Sequence, residues 1–147
     1  MDVEVNITRV MEPNDEVLAG LNYLLPQLSR SAKPLDLDGL TALLNDESVH
    51  LCTCRLDGKI VGSITLVVFQ IPTGIRALIE DVVVDEFVRG KSIGLKLVRF
   101  ALDLAKTYGC VTVDLTSRPE REAANRLYVK VGFQQRNTNV YRYNLSN

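Results

Sequence analysis

Residues 82–94, VVVDEFVRGKSIG, have the pattern of a buried strand, a short polar turn and the first turn of a helix. Backbone N–H groups at a helix N-terminus have no partner within the helix, and the helix dipole favours an anion there. Arg89 and Lys91 add positive charge at the same place. The glycine spacing excludes a P-loop and the dinucleotide fingerprint. The stretch therefore predicts another kind of anion site, or else a plain strand-to-helix connection with Gly94 for close packing.

The composition is that of an ordinary globular chain, with 147 residues, 46% hydrophobic and 24% charged, and a net charge of −1. This length predicts one domain, residues 1–147, with a sufficient core. The charge balance argues against broad binding to nucleic acid or to a membrane surface. The first residues, MDVEVNITRV, do not have the pattern of a signal peptide, and no apolar run approaches a membrane span.

The cysteines and the histidine do not form a metal-binding pattern. Cys52 and Cys54 are one residue apart, which is not a CxxC spacing, and His50 is the only histidine. We therefore expect no metal, and we expect buried free thiols in a reducing, cytoplasmic environment.

Hydrophobic periodicity predicts the element order β-α-α-β-β-β-α-β-α-β-β. Asp57-Gly58 predicts a tight hairpin, and Pro26 should shorten or kink the first helix. The predicted strands are 3–10, 49–56, 60–69, 76–84, 110–115, 133–135 and 139–144. The predicted helices end at 28, 45, 108 and 131, and the third of them, beginning at Ile93, has the clearest apolar face.

Two motifs resemble the GNAT superfamily of N-acetyltransferases. The run Arg89-Gly90-Lys91-Ser92-Ile93-Gly94 resembles that family's acetyl-CoA pyrophosphate loop, Arg/Gln-x-x-Gly-x-Gly/Ala, with Ser92 at the position of the usual first glycine. Downstream, NRLYVKVGF at residues 125–133 resembles the family ending Leu-Tyr-x-x-x-Gly-Phe. The element order is similar to the GNAT fold along essentially the whole chain.

The resemblance implies an α/β (α+β) fold. The central sheet would be mixed and mostly antiparallel, flanked by helices, with one parallel βαβ crossover that binds the cofactor. In that family the fourth and fifth strands splay apart, and the pantetheine arm pairs with the fourth. Here Val82, Val83 and Val84 would bind it through main-chain groups, and the 89–94 loop would bind the pyrophosphate.

The resemblance also suggests catalytic residues. Tyr128 matches the tyrosine whose hydroxyl approaches the CoA sulfur, where a phenol can protonate a leaving thiolate; a core tyrosine is the alternative. An amine must lose a proton before attack, and Glu80 and Asp81 are the best-placed acids. Strand parity puts Glu80 on the side of Val82 unless a bulge intervenes, and a surface ion pair with Arg76 is the alternative. Asp114 and His50 are poorer candidates, and His50 is expected to be solvated.

Three positions depart from the family pattern or remain open. Arg121 lies where many members have a cofactor-binding asparagine, and Asn125 follows one helical turn later, so either is a candidate cofactor contact. A solvent-exposed helix face is the alternative. The hydroxyl of Ser92 is available to bind phosphate or to cap the helix. If the loop needs a positive φ, Ser92 costs about 1 kcal/mol and affinity drops.

The implied reaction is direct transfer of acetyl from acetyl-CoA to a primary amine of a small molecule, without a cysteine intermediate. The run Glu80–Val84 resembles the same strand in glucosamine-6-phosphate acetyltransferases, and Arg118, Arg136 and Arg142 are available to hold an acidic group on the acceptor. A protein acetyltransferase and a non-catalytic acyl-CoA-binding module are the alternatives. Exposed strand edges make a homodimer plausible.

Overall fold

The computed structural model describes residues 4–146. The chain divides into two compact units, Met1–Thr116 and Ser117–Asn147. The first unit contains β1 (Asn6–Arg9), α1 (Asp15–Leu28), α2 (Leu37–Asn45), β2 (Val49–Leu56), β3 (Lys59–Ile71), β4 (Gly74–Val84), α3 (Ile93–Thr107) and β5 (Thr112–Asp114). A short 3₁₀ turn, Glu86–Val88, lies between β4 and α3. The second unit contains α4 (Glu122–Val131). The predicted start of the first strand, at residue 3, lies outside the described residues.

The first unit is built on a five-stranded sheet in the order β1-β2-β3-β4-β5. The first four strands pair antiparallel. The connection through α3 makes β4 and β5 parallel, in register from Arg76↔Thr112 to Leu78↔Asp114. The predicted mixed, mostly antiparallel sheet with one parallel βαβ unit is therefore confirmed.

Local sequence signals explain the element ends. Asn14 and Asp36 cap α1 and α2 by accepting the N–H groups of Val17 and Gly39, at 2.8 and 2.7 Å. In the β2–β3 turn, Asp57 and Gly58 both have positive φ, as a tight two-residue hairpin requires. Helix α1 contains Pro26 and ends two residues later, at the predicted Leu28, while the predicted kink stays a prediction. Pro26 lies in the last turn, where its missing N–H removes a single helical bond.

Helices cover both faces of the sheet. On one face, α1 and α2 pack on a cluster that includes Leu51 and Val83. On the other face lies α3. The side chain of Leu97, in α3, would lie 3.0 Å from a Cβ atom added to Gly62 of β3. A side chain at Gly62 would force these neighbours to shift, so the glycine favours the close packing of α3 on β3. The N-terminus of α3 lies just after the end of β4.

The second unit ends its helix as predicted but lacks the predicted hairpin. Gly132, with φ 121°, donates to the carbonyl of Tyr128 at 3.2 Å, which satisfies a carbonyl at the end of α4. Within the described part of Ser117–Asn147, residues 133–146 form no strand, so the expectation of strands at 133–135 and 139–144 is wrong for this unit by itself. An isolated two-stranded hairpin is marginal in water, and the unit offers it no sheet to join.

Candidate functional site

A bulge in β4 determines which way its acidic residues face. Glu80 pairs with Thr65 and Val83 pairs with Ser63, so a three-residue step on β4 opposes a two-residue step on β3. Asp81 absorbs the extra residue with φ 50°. Glu80 therefore lies on the same face as Val83, the face covered by α1 and α2. The parity argument that placed Glu80 with Val82 is wrong because it assumed an unbroken period of two.

The edge of β4 that faces β5 is open over its second half. Pairing with β5 ends at Leu78↔Asp114, whereas β4 continues to Val84. Among the described residues of the first unit, 4–116, none forms a strand beside residues 79–84 on that side. Main-chain N–H and C=O groups of Val82, Val83 and Val84 lie on this segment, and an extended ligand can pair with such an edge as an added strand does.

The 89–94 loop forms an uncapped helix N-terminus. The first bond within α3 runs from the N–H of Lys96 to the carbonyl of Ser92, at 3.1 Å, so the N–H groups of Ile93, Gly94 and Leu95 have no partner within the helix. The first turn contains no acidic residue. Arg89 and Lys91 are exposed beside it. The charges and the donors together suit a phosphate group.

Ser92 adopts the left-handed conformation, with φ 61° and ψ 21°. Its side chain makes no capping hydrogen bond, so the suggestion that the hydroxyl caps α3 is wrong. Gly90 also has a positive φ, 88°, and no atom lies within 4 Å of a Cβ atom added there. The loop therefore requires positive φ at two positions, of which Ser92 fills the second at a conformational cost.

Three of the predicted site residues lie in the second unit. Tyr128 is half-buried, and its ring packs edge-on against Phe133, with centroids 5.8 Å apart. Burial raises the pKa of the Tyr128 phenol, and the positive charge of Arg121 acts in the opposite direction. The hydroxyl therefore remains protonated at neutral pH and is available as a proton donor.

Arg121 and Asn125 lie one helical turn apart, as predicted, and the N–H of Asn125 donates to the carbonyl of Arg121 at 3.0 Å. Arg121 is the N-cap residue of α4, which begins at Glu122. The amide nitrogen of Asn125 donates to the carbonyls of Arg118 and Arg121, at 2.9 and 2.8 Å, and so holds the turn before the helix. The side-chain oxygen of Asn125 is the atom left for a ligand.

His50 is not solvated, contrary to expectation. It is 1% exposed, and its ring stacks on Tyr108 with centroids 4.5 Å apart. Burial, with a smaller contribution from Arg9, lowers the pKa of His50. Tyr108 is the C-cap of α3, at the opposite end from the anion site, so His50 is poorly placed as a base for chemistry beside the loop.

The cysteines are free, as predicted, and Cys52 and Cys54 are buried. Burial raises the pKa of Cys52 to about 11 and also raises the pKa of Cys54. A thiol that remains protonated is a poor nucleophile. Among residues 4–146, no group of three or more His, Cys, Asp or Glu side chains is placed to hold a metal ion.

Sequence reasoning missed Asp85, just before the loop, and its two partners in α1, Tyr23 and Gln27. Asp85 is buried, and its carboxylate is bound by Tyr23 and Gln27 of α1. The available signal was the spacing of four between Tyr23 and Gln27, which places both on one face of a helix. Nothing in the sequence identified β4 as the element that this face would meet.

Comparison with known proteins identifies the class of protein. The sequence model of the Acetyltransferase (GNAT) family matches residues 19–133 of this chain. The chain therefore belongs to the GNAT family of acetyltransferases. It is similar to glucosamine 6-phosphate N-acetyltransferase 1 of Oryza sativa subsp. japonica, at 30% identity over 84% of this chain and 76% of that protein.

Two further relatives are similar over different lengths. Aminoalkylphosphonate N-acetyltransferase of Salmonella typhimurium is 31% identical over 67% of this chain and 65% of its own. A candidate acetyltransferase structure from Agrobacterium tumefaciens superposes with a TM-score of 0.85 and 27% identity, covering 95% of this chain and 99% of that one. The chain spans only 37% of a second rice relative. In the part of the chain that is described, no helix is long and apolar enough to cross a membrane.

Proposed function

We propose that this protein is an N-acetyltransferase that transfers acetyl directly from acetyl-CoA to the primary amine of a small molecule in the cytoplasm. The observation that carries the proposal is the open second half of β4, which leads into an uncapped, positively flanked helix N-terminus. A strand edge that is followed along the chain by an anion site matches the two chemical parts of CoA, an amide-containing arm and a pyrophosphate.

The residues of the first unit fit this cosubstrate. Main-chain groups of Val82, Val83 and Val84 would pair with the amide-containing arm. The free N–H groups of Ile93 and Gly94 would bind the pyrophosphate, with Arg89, Gly90, Lys91 and Ser92 lining the approach. Gly90 keeps this approach clear, because a Cβ atom added there would point into the open space that the pyrophosphate would enter. In the second unit, Arg121 and the side-chain oxygen of Asn125 are further candidate contacts.

The proposed chemistry needs a base and an acid. Acetyl-CoA, when bound, supplies an activated acyl group. Glu80 accepts a proton from the incoming ammonium group, directly or through water, because it is exposed at the bulge where the β4 edge opens. Asp81 is the alternative base. Tyr128 would donate its phenol proton to the thiolate that leaves when the amine nitrogen bonds to the acyl carbon and the C–S bond breaks. Burial raises the pKa of Tyr128, so the phenol is protonated at neutral pH.

The names of the relatives support an acceptor that carries a phosphate or a phosphonate. One relative is named for glucosamine 6-phosphate and another for aminoalkylphosphonates, and both acceptors combine an amine with a phosphorus oxyanion. Arg118, Arg136 and Arg142 are the candidate partners of that group in this chain. Strand β1 lies at an edge of the sheet, where a second copy of the chain would pair, and a homodimer stays a prediction.

The first test is thermal unfolding with acetyl-CoA, free CoA and ATP. At about 100 times its Kd, a ligand that binds only the native state adds about 2.7 kcal/mol of stability. We expect acetyl-CoA and CoA to raise the midpoint and ATP to have little effect. No shift with either CoA species would refute the proposal.

The acceptor is then tested by measuring thiol release with matched pairs of amines. Glucosamine 6-phosphate is compared with glucosamine, and aminomethylphosphonate with methylamine. We expect each phosphorus-containing amine to have the higher kcat/KM. Equal values within both pairs would contradict an acidic recognition group, and turnover only with peptides would replace the small-molecule proposal. For the best acceptor, Glu80→Gln should remove the acid limb of the pH–rate profile if Glu80 is the base.

A further inference from the structure

A cluster of hydrogen bonds attaches the residues before the anion loop to α1. One carboxylate oxygen of Asp85 accepts from the hydroxyl of Tyr23 at 3.1 Å, from the amide nitrogen of Gln27 at 3.4 Å and from the N–H of Phe87 at 3.2 Å. Asp85 is 8% exposed. A buried carboxylate requires such donors, because without them it would lose its hydration uncompensated.

Gln27 makes a second contact that extends the attachment to the backbone. Its side-chain oxygen accepts the N–H of Glu86 at 2.9 Å, while its nitrogen donates to Asp85. The main chain of Asp85 also donates to the carbonyl of Val61 in β3, at 2.8 Å. The exit from β4 is thus tied to a helix and to a neighbouring strand. Desolvation, with smaller contributions from the hydrogen bond to Asp85 and from its charge, raises the pKa of Tyr23, which remains a hydrogen-bond donor.

The conformation of residues 89–92 depends on the contacts made at the two ends of this segment. The side chains of residues 89–92 are exposed, and Gly90 and Ser92 are in the left-handed region. At the far end, Ile93 is buried in the core, 2% exposed. At the near end, the Asp85 cluster supplies the contacts to α1. A strained segment persists only when its surroundings fix it.

We propose that Tyr23 and Gln27 are positioning residues for acetyl-CoA. Acting through Asp85 and the N–H of Glu86, they hold the loop in the conformation that receives the pyrophosphate. The inference rests on the proposed function, since it assigns these residues to the same cofactor site. Through these hydrogen bonds, α1 contacts the segment before the 89–94 loop, and it also packs on the face of the sheet that bears Glu80.

The sharpest test exchanges donor and acceptor within the cluster. Gln27→Glu removes the amide donor and places a second carboxylate against Asp85. We expect the Kd and KM for acetyl-CoA to rise about tenfold, with kcat and the acceptor KM within about twofold of wild type. Adding Asp85→Asn restores a donor, now from residue 85 to residue 27, while the N–H of Glu86 keeps its acceptor. The double variant should therefore recover most of the affinity.

Tyr23→Phe tests the hydroxyl alone, and Tyr108→Phe is its matched control. The hydroxyl of Tyr108 also makes one side-chain hydrogen bond, accepting from Arg9 at 2.7 Å. It lies at the far end of α3, about 22 Å along the helix from the loop. We expect Tyr23→Phe to raise the Kd for acetyl-CoA about fivefold and Tyr108→Phe to leave it unchanged.

Hydrogen exchange provides a readout that does not depend on cofactor or activity. The N–H of Glu86 should exchange faster in Gln27→Glu and return towards the wild-type rate in the double variant. If wild type binds acetyl-CoA but the variants bind it equally well, the positioning role is refuted and the proposed function stands. If wild type binds no CoA species, the proposed function fails, and the exchange rates still report whether the cluster holds the loop.

Discussion

The left-handed conformation of Ser92 leads to a quantitative prediction for Ser92→Gly. A residue with a Cβ atom pays about 1–2 kcal/mol in this region, which glycine avoids. Glycine loses more backbone entropy on folding, and this offsets about 0.5–1 kcal/mol. The net expected gain is about 0.5–1 kcal/mol. At about 2.1 cal/mol/K per residue of unfolding entropy, this corresponds to a rise of about 2–3 °C in Tm.

The assay is thermal or urea unfolding of wild type, Ser92→Gly and Ser92→Ala. Alanine is the control because it keeps the Cβ atom and removes only the hydroxyl, which makes no capping bond. We expect the alanine variant to be about as stable as wild type, within about 0.5 kcal/mol. An N-cap serine that did cap α3 would instead cost about 1 kcal/mol when replaced by alanine.

The same variants test whether the strain at Ser92 lowers folding stability, acetyl-CoA affinity or both. If strain at Ser92 also weakens binding, Ser92→Gly should lower the Kd for acetyl-CoA, by at most about fivefold for 1 kcal/mol. The reasoning is refuted if Ser92→Gly changes neither stability nor affinity. It is also refuted if glycine and alanine stabilise equally, because the effect would then not come from φ.

Further predictions concern side chains whose surroundings the structure defines. Tyr128→Phe should lower kcat at least about tenfold with little change in the KM for acetyl-CoA, measured by thiol release; unchanged turnover would remove the acid role. The lowered pKa of His50 means that the unfolded chain binds more protons, so the free energy of unfolding should fall as pH drops below about 6.5. His50→Gln should flatten this dependence in urea titrations between pH 5 and 7, and an unchanged slope would contradict it. Cys52 and Cys54 should resist iodoacetamide at pH 8 in the native state, whereas rapid native labelling would show that they are not held in the core.

Much of the fold follows from local signals in the sequence. Asp57-Gly58 specifies its hairpin because both residues tolerate positive φ, and the apolar period of α3 ends at Gly109 because glycine readily adopts the left-handed conformation found there. The strand, polar turn and helix start of residues 82–94 are likewise visible in the sequence, and an anion site at 89–94 stays a prediction. In each case the deciding interaction lies within a few residues of chain, so its pattern is visible in the sequence.

The tertiary structure alone decided which way the important side chains face. The face of Glu80 depends on the bulge at Asp81, and the bulge exists only in the register between β3 and β4. His50 has a polar side chain that sequence patterning places in solvent, yet it is buried because the end of α3 packs over it. The carboxylate of Asp85 meets α1 across 62 residues of sequence. Contacts of this range depend on how elements pack together, whereas the local spacing of residues determines only the elements themselves.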